Sequence, residues 1–519
     1  MTPTEGGHRM SYVLGIDIGT YESKGVLVDR NGKLVAQSAV PHKLEIPHRG
    51  WAEHDAEATW WHDFKQLSKS LIHMARMNYG ISADEIEAVG VSSIAPAVLP
   101  IDRDGTPLRK AILYGVDTRA EREIAALNEA IGEERVFEIG GQSLSSQAAG
   151  PKMKWIKHHE PEVYEKTYKF LCGSGYLVYK LTGQCVIDRY TAVNYAPLFD
   201  IHTLEWNDES VSHMTEADKL PALTWSTDIV GTVTRQAAEQ TGLAPGTRVI
   251  AGTADAMSEA ISIGAIHQGD LMMMYGSSTF FILTTDRIMK TKELWPNVHI
   301  VPGANTLTGG TATAGSLTRW FVDQCLGRDM GSGEASNWSV QQAYTYMSEQ
   351  AGLSPPGSNG LITLPFFSGE RTPVHDASAK GMMFGLSLNH TTADMYRSLL
   401  EGISFSIRHN LDVMQELGAS VKRIVSVGGG VKNELWLQSV SDICQVRQAI
   451  PEITVGAAYG NAYICGMALG WHDNLEEIDE WVNIIRHIEP GVNDREVYER
   501  HYAIYHRLYE RTKDLMKDL

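Results

Sequence analysis

Asp17 stands next to last in the apolar run YVLGIDI, just ahead of the small polar turn Gly19-Thr20. A carboxylate in that position suits a hydrated divalent cation, while backbone N–H groups and the Thr20 and Ser23 hydroxyls can face phosphate oxygens. Taken alone the string also reads as an ordinary solvated hairpin tip. A second stretch of the same kind, MMMYGSSTFFILT at 272–284, again places a hydroxyl-rich turn between two apolar runs. Two phosphate-cradling hairpins facing one another would clamp a nucleotide. A third stretch, IVSVGGGVKNELW, carries Gly428-Gly429-Gly430, where a flat ring can approach the backbone, and Asn433, which can bond to that ring or cap the next helix. A fourth, RVIAGTADAMSEA, ends an apolar run on Asp255 beside Gly252, Thr253 and Ala254, so a second molecule can come close to its carboxylate; Asp255 also suits a helix N-cap.

Other chemistries find no footing. GxxxxGK[ST] and GxGxxG do not occur, so neither a P-loop nor a dinucleotide fingerprint is present. Among nineteen histidines, His158-His159 lacks thiolate or acidic ligands at zinc spacing. Acidic residues outnumber basic ones 63 to 45, for a formal charge of −18, and no basic run could track a nucleic-acid backbone. The same charge repels a bare polyphosphate, so a nucleotide site must rely on local N–H groups, helix ends and a cation, for which Mg²⁺ is the natural choice.

The elements that must position these residues follow from periodicity. YVLGIDI, KGVLVD and LVAQSAV predict a three-stranded antiparallel meander, its second turn marked by Asn31-Gly32. A helix over EATWWHDFKQLSKSLIHMA and a strand over IEAVGVSS follow. After Ala244-Pro245-Gly246-Thr247 the order recurs: a strand over RVIAGTAD, a helical stretch, two strands, and later a long helix, the strand RIVSV and a helix starting near Asn433. With 519 residues, two α/β lobes are expected, divided as 11–248 and 249–519, with a cleft between them. The final segment places Tyr498, Tyr502, Tyr505 and Leu508 at helical spacing and predicts a terminal helix on the second lobe. Five cysteines without CxxC spacing fit a reducing cytoplasm. No run approaches a membrane span, MTPTEGGHRM lacks the apolar core of a signal peptide, and Met10 is an alternative start.

In this order the motifs resemble the FGGY carbohydrate kinases. The resemblance runs from Tyr12 to Leu469 and includes GWAEHD, ILYGVDTRA, GTADAMSEA, YGSST, LPFFSGERTPVHDASAKGMMFGL, GGGVKNELWLQ and PEITVGAAYGNAYICG. It implies two ribonuclease H-like (actin-like ATPase) lobes and ATP-dependent phosphorylation of a small sugar or polyol, such as a ketopentose. Carried over, it implies that Asp17 and the Gly19-Thr20 turn bind metal-ATP phosphates with help from Lys24. Gly276, Ser277, Ser278 and Thr279 would form the second phosphate loop, and Gly429, Gly430 and Asn433 would border the adenine. Asp255 would be the general base, with Trp51 and Asp117 near the sugar and Arg119 supporting Asp117. The sequence departs from the xylulokinase pattern at Ile94-Ala95-Pro96, which offer no side-chain hydrogen bonds to a sugar. An actin-like ATPase and a sugar-binding regulator with a degenerate kinase lobe remain as alternatives, and a second copy of the chain is left open as a partner.

Overall fold

The computed structural model describes residues 11–326, 338–452 and 455–519. Tyr12–Ile18, Glu22–Asp29 and Leu34–Pro41 form the expected meander, with Asp17 opposite Lys24. Ile86–Ser93 pairs parallel to the first strand, Arg248–Ile250 parallel to Ile86–Ser93, and Ile229–Thr232 antiparallel beyond it. The second sheet repeats this order. Asp270–Tyr275, Thr279–Thr285 and Asn305–Thr311 make the meander; Arg423–Val427 and Gln448–Pro451 follow in parallel, and Ile484–Ile488 is antiparallel at the edge. A further strand, Trp295–Val298, lies outside the second meander. The near-continuous apolar runs Val13-Leu14 and Ile424-Val425 belong to strands covered on both faces.

The predicted strand RVIAGTAD breaks in two. Gly252 adopts φ +74°, and a Cβ there would meet the Val91 carbonyl at 2.2 Å, so only a side-chain-free residue fits against the neighbouring strand. Thr253–Ala254 then pairs with Ile86–Ser93. The division expected after residue 248 therefore runs through a strand of the first sheet, and the second sheet begins at Asp270. The terminal helix Arg495–Met516 packs as expected, Tyr498, Tyr502, Tyr505 and Leu508 joining Phe366 and Phe405 in one cluster of the second lobe.

Two helices lie between the sheets: Asp255–Ser262 and Ala457–Ala468. Their apolar residues share one core with Val13, Val26 and Ala88 of the first sheet and Met272, Ile282 and Val425 of the second. The second helix is rich in small residues, and the closeness of its approach shows why. A Cβ on Gly15 would lie 1.9 Å from the Ala458 carbonyl oxygen, and one on Gly460 would lie 2.0 Å from the Ser258 carbonyl oxygen. Both obstacles are backbone, which cannot swing aside. Gly15→Ala is expected to lower the unfolding free energy by about 1–3 kcal/mol or more, read as a lower urea midpoint; an unchanged midpoint would show that the helix can slide.

Candidate active site

Asp17 is 9% exposed and accepts a 2.7 Å hydrogen bond from the Ser92 hydroxyl of the adjacent strand. Ser92 is itself oriented by Asn461, whose Nδ2 donates to the Ser92 hydroxyl at 2.7 Å and to the Ile16 carbonyl at 2.9 Å. The Asn461 carbonyl oxygen accepts from the Ser258 hydroxyl at 2.7 Å. One amide thereby ties the first sheet to both interlobe helices, and it sits one residue into the conspicuous GNA of the Ala457–Ala468 helix.

Burial pushes the Asp17 carboxyl up to about 6, with Ser92, Lys24 and His42 opposing the rise. Asp255 is raised well above the usual carboxylate range, first by burial and then by the charge of Asp17. The two predicted acids thus lie within electrostatic reach of one another on the same lobe, at neighbouring strand ends on either side of Ser92-Ser93, and the sequence division that put Asp255 in the second lobe is corrected. Asp255 is the first residue of its helix and not its cap: Ala254 occupies the cap position, and Asp255 Oδ1 accepts from the Ala256 N–H at 2.8 Å. Glu259, one helical turn beyond Asp255, joins them; burial first and Asp17 second push it up to about 7. Its i+4 spacing from Asp255 was the available signal in the sequence.

Among the described residues no group of three or more His, Cys, Asp or Glu side chains is placed to hold a metal ion. The donor set at Asp17 and Asp255 is oxygen only, which fits Mg²⁺, an ion that takes one or two carboxylates and fills its remaining sites with phosphate and water.

Both hairpin tips are backed by protein. The Gly19 N–H donates to the Glu22 carbonyl at 3.1 Å, the Thr20 hydroxyl lies 3.1 Å from the Tyr114 hydroxyl, and Lys24 pairs with Glu22 at 3.6 Å. At the second tip the Gly276 N–H donates to the Ser278 carbonyl, and the Ser277 carbonyl accepts from the Ala314 and Ser316 N–H groups. Ser277 is exposed. Thr279, placed in this loop by the sequence reading, is a strand residue: it is wholly buried and its hydroxyl is held 2.8 Å from that of Thr311. A cavity of about 650 Å³ beside this tip is lined by Gly276, Ser277, Gly429, Gly430, Asn433 and Trp436. Asn433 Oδ1 caps the helix Glu434–Cys444 by accepting from the Trp436 N–H at 3.1 Å. A Cβ on Gly430 would strike the Trp436 and Tyr275 side chains at 2.7 and 2.8 Å.

On the other side of the cleft one expectation is corrected. Asp117 is completely buried and its oxygens are taken by the protein: the Ala52 N–H donates at 2.7 Å, and Arg119 donates through Nε at 2.9 Å and Nη2 at 2.7 Å. It therefore positions neighbours and has no open face for a sugar. Arg119 bridges onward to Glu53 at 2.8 Å and lies 3.9 Å over the Trp51 ring, whose edge meets Trp155. Trp51 thus presents at most the face that Arg119 leaves free. Ile94 and Pro96 are buried and apolar.

A second cavity, of about 610 Å³, runs between the lobes and is lined by Gly115, Ser145 and Gln147 from the first and Trp295, Arg371 and His375 from the second. Tyr114, which borders Gly115, is raised by burial and feels the charges of both Asp255 and Arg371. Lys152 is buried beneath this wall, its ammonium donating to the Leu113 and Ser146 carbonyls at 2.7 and 2.6 Å; burial pushes it down to about 7. Tyr114, Lys152 and Arg371 were not singled out in the sequence, where single residues without spacing give no signal.

The family models divide where the sheets do: "FGGY family of carbohydrate kinases, N-terminal domain" matches residues 12–262, and the corresponding C-terminal domain matches 271–469. The chain belongs to the FGGY family of carbohydrate kinases. It is 29% identical to the xylulose kinase of Bacillus subtilis (strain 168), over 98% of each chain. It is 27% identical to the autoinducer-2 kinase of Klebsiella pneumoniae subsp. pneumoniae, over 96% of this chain and 94% of that one. A crystal structure of xylulose kinase from Rhodospirillum rubrum matches with a TM-score of 0.88 at 27% identity, covering 97% of this chain and 99% of that one. This FGGY kinase is accordingly a phosphotransferase that moves a phosphoryl group from ATP to an alcohol group of a carbohydrate. Among the described residues no helix is long and apolar enough to cross a membrane.

The carboxylate cluster has a cost that can be measured without substrate. Asp17 has an ordinary value of 3.8 and is raised to about 6 in the fold, so the folded state holds its proton more tightly than the unfolded chain. Stability then falls as pH rises from about 4 to about 6, and the full cost, roughly 3 kcal/mol, is present above that window. Asp17→Asn keeps an acceptor for Ser92 and is expected to stabilise the nucleotide-free protein by up to that amount at pH 7.5. The gain should vanish near pH 3, as read by urea unfolding at the two pH values.

Proposed function

We propose that this FGGY kinase transfers the γ-phosphoryl group of Mg²⁺-ATP to a hydroxyl of a small ketose or polyol, with ketopentoses such as xylulose and ribulose as the first candidates. The observation that carries the reading is the placement of Asp17 and Asp255 at neighbouring strand ends of the first sheet, on either side of Ser92-Ser93, close enough for the Asp17 charge to raise Asp255. The named functions of the relatives, xylulose kinase and autoinducer-2 kinase, support acceptors of this size.

In this reading the acceptor hydroxyl lies against Asp255, which takes its proton as the oxygen attacks the γ-phosphorus. A carboxyl lifted by burial is a stronger base than a solvated one, and water cannot compete for its lone pairs. The Gly19-Thr20 turn, aided by Lys24, and the Gly276-Ser277-Ser278 turn supply donors to the phosphates, and Thr279 shapes the latter from within the sheet. Gly429, Gly430 and Asn433 border the base, against the broad Trp436 side of the cavity. Mg²⁺, when bound at Asp17, supplies charge that stabilises the developing negative oxygens. Asp117 and Arg119 act through Trp51, holding that side of the sugar site in place. The unit that carries Asp17 extends through Ser262, since Thr253–Ala254 and the start of the Asp255 helix belong to the first sheet's fabric.

Ile94, Ala95 and Pro96 form an apolar wall, so polar discrimination among acceptors falls to the cavity containing Gln147 and Arg371. A coupled ADP-release assay over ketopentoses, tetroses and polyols, each stereoisomer separately, tests the class; ADP release independent of every acceptor would refute it. Asp255→Asn is expected to cut kcat by about 10²–10⁴ with little change in KM for ATP. The wild-type rate should fall on acidification as Asp255 takes up its proton, and Asp17→Ala should abolish measurable Mg²⁺-ADP affinity.

A further inference from the structure

His42 directly follows the third strand and lies beneath the first hairpin tip, at three points of contact. Its backbone N–H donates to the Tyr21 carbonyl at 2.9 Å, its Nε2 donates to the Gly19 carbonyl at 3.0 Å, and its Nδ1 lies 2.8 Å from Asp63 Oδ2. The side chains of His42 and Asp63 are only 8% and 3% exposed. Asp63 also accepts from the Ser23 hydroxyl at 2.7 Å, so one carboxylate from the helix His62–Tyr79 grips both the imidazole and the second strand of the hairpin. A carbonyl can only accept, so the ring nitrogen that meets the Gly19 oxygen is the donor, while Asp63 holds the ring from its other nitrogen. The titratable groups facing it from neighbouring elements are Asp17, whose rise His42 opposes, and His54. His54 is neutral: burial first and His42 second push it down to about 4, and its Nδ1 accepts from the Trp60 indole at 3.1 Å.

The consequence lies in the geometry of one peptide. In a planar trans peptide the carbonyl of residue 19 and the N–H of residue 20 point in opposite directions. Holding the Gly19 oxygen down onto His42 therefore turns the Thr20 N–H to the opposite side of the tip. A flip of that peptide would present an oxygen to the phosphates in place of a donor, and glycine at position 19 does little on its own to oppose such a flip. The geometry points to the His42–Asp63 pair as a positioning device that locks the Gly19–Thr20 peptide in the orientation that accepts nucleotide. This rests on the reading of that turn as the phosphate site.

Binding of Mg²⁺-ADP to the full chain, followed by calorimetry, separates the two. His42→Leu removes the donor and is expected to weaken binding about tenfold, the effect of losing one buried hydrogen bond. His42→Gln, long enough to return an amide donor to the Gly19 carbonyl, should recover most of the affinity. Asp63→Asn should fall between, and His42→Leu/Asp63→Asn should be no worse than His42→Leu alone, because the two act as one unit. In steady-state assays with the best acceptor from the panel, KM for ATP should rise while KM for the acceptor stays fixed. His42→Leu binding as wild type does, while Asp17→Ala does not bind, overturns the inference. Asp17→Ala binding as wild type does overturns the phosphate-site reading beneath it. If His42→Leu fails to fold, the comparison of His42→Gln with Asp63→Asn decides: equal, wild-type affinity in both overturns the inference.

Discussion

The close seating of the Ala457–Ala468 helix on the first sheet is the constraint from which the rest of the site follows. Gly15, Gly90 and Gly460 each leave room for backbone that a methyl group would displace. Only that proximity lets one amide, Asn461, reach the Ile16 carbonyl, the Ser92 hydroxyl and the Ser258 hydroxyl together. Buried polar groups stabilise a fold when every donor and acceptor is met, and here they also fix direction. Ser92 receives from Asn461 and so gives its own proton to Asp17, whose free oxygen is left for the cleft. Packing at the hinge between lobes and the aim of a carboxylate are thus one arrangement.

The same arrangement concentrates negative charge. Asp17, Asp255 and Glu259 each rise above their ordinary range through burial, and Asp17 raises the other two further. An enzyme built for stability alone would not gather them. They make sense as a site completed by cationic ligand charge, where binding relieves a strain that the empty protein carries elsewhere on its large apolar core. The long-range field agrees: a chain of net charge −18 cannot attract a polyphosphate by itself, so the donors must be local and well aimed.

Much of this was legible before any coordinates. The two meanders, the parallel strands behind them and the hydroxyl-rich turns followed from short apolar runs interrupted by Gly, Ser and Thr, and the helix beginning after Asn433 from the cap that Asn433 offers. Asp17 and Asp255 stood out because each stands at or next to the end of such a run beside small residues. What was not legible depends on contacts distant in sequence. The pairing of Asp117 with Arg119 was expected from their spacing, but nothing local announces that the Ala52 N–H, 65 residues away, takes the remaining acceptor, so Asp117 was still placed against the sugar. Thr279 looked like part of a loop because one residue separates an exposed serine turn from a buried strand. The break at Gly252 was hidden by composition: RVIAGTAD is apolar enough for one strand, and only the Val91 carbonyl of a neighbouring strand forbids it.

On the proposed assignment of phosphate and acceptor sides, the two halves of the cleft differ in how they are built, and that difference explains why the reaction class is easier to read than the acceptor. The phosphate side consists of tight turns between paired strands, where register dictates which atoms face the ligand and few residue types can serve. The acceptor side is assembled from separate segments: Trp51 under Arg119, Tyr114 beside Gly115, the 142–147 loop over Lys152, and Arg371 from the opposite lobe. No single motif encodes that surface, and its shape depends on how far the lobes close. On that assignment selectivity would arise from side chains held by second partners, so a change at Lys152 or Arg119 would alter which alcohol fits without touching the alcohol itself. In that arrangement the fixed half would determine that phosphate is transferred, and the composite half to what.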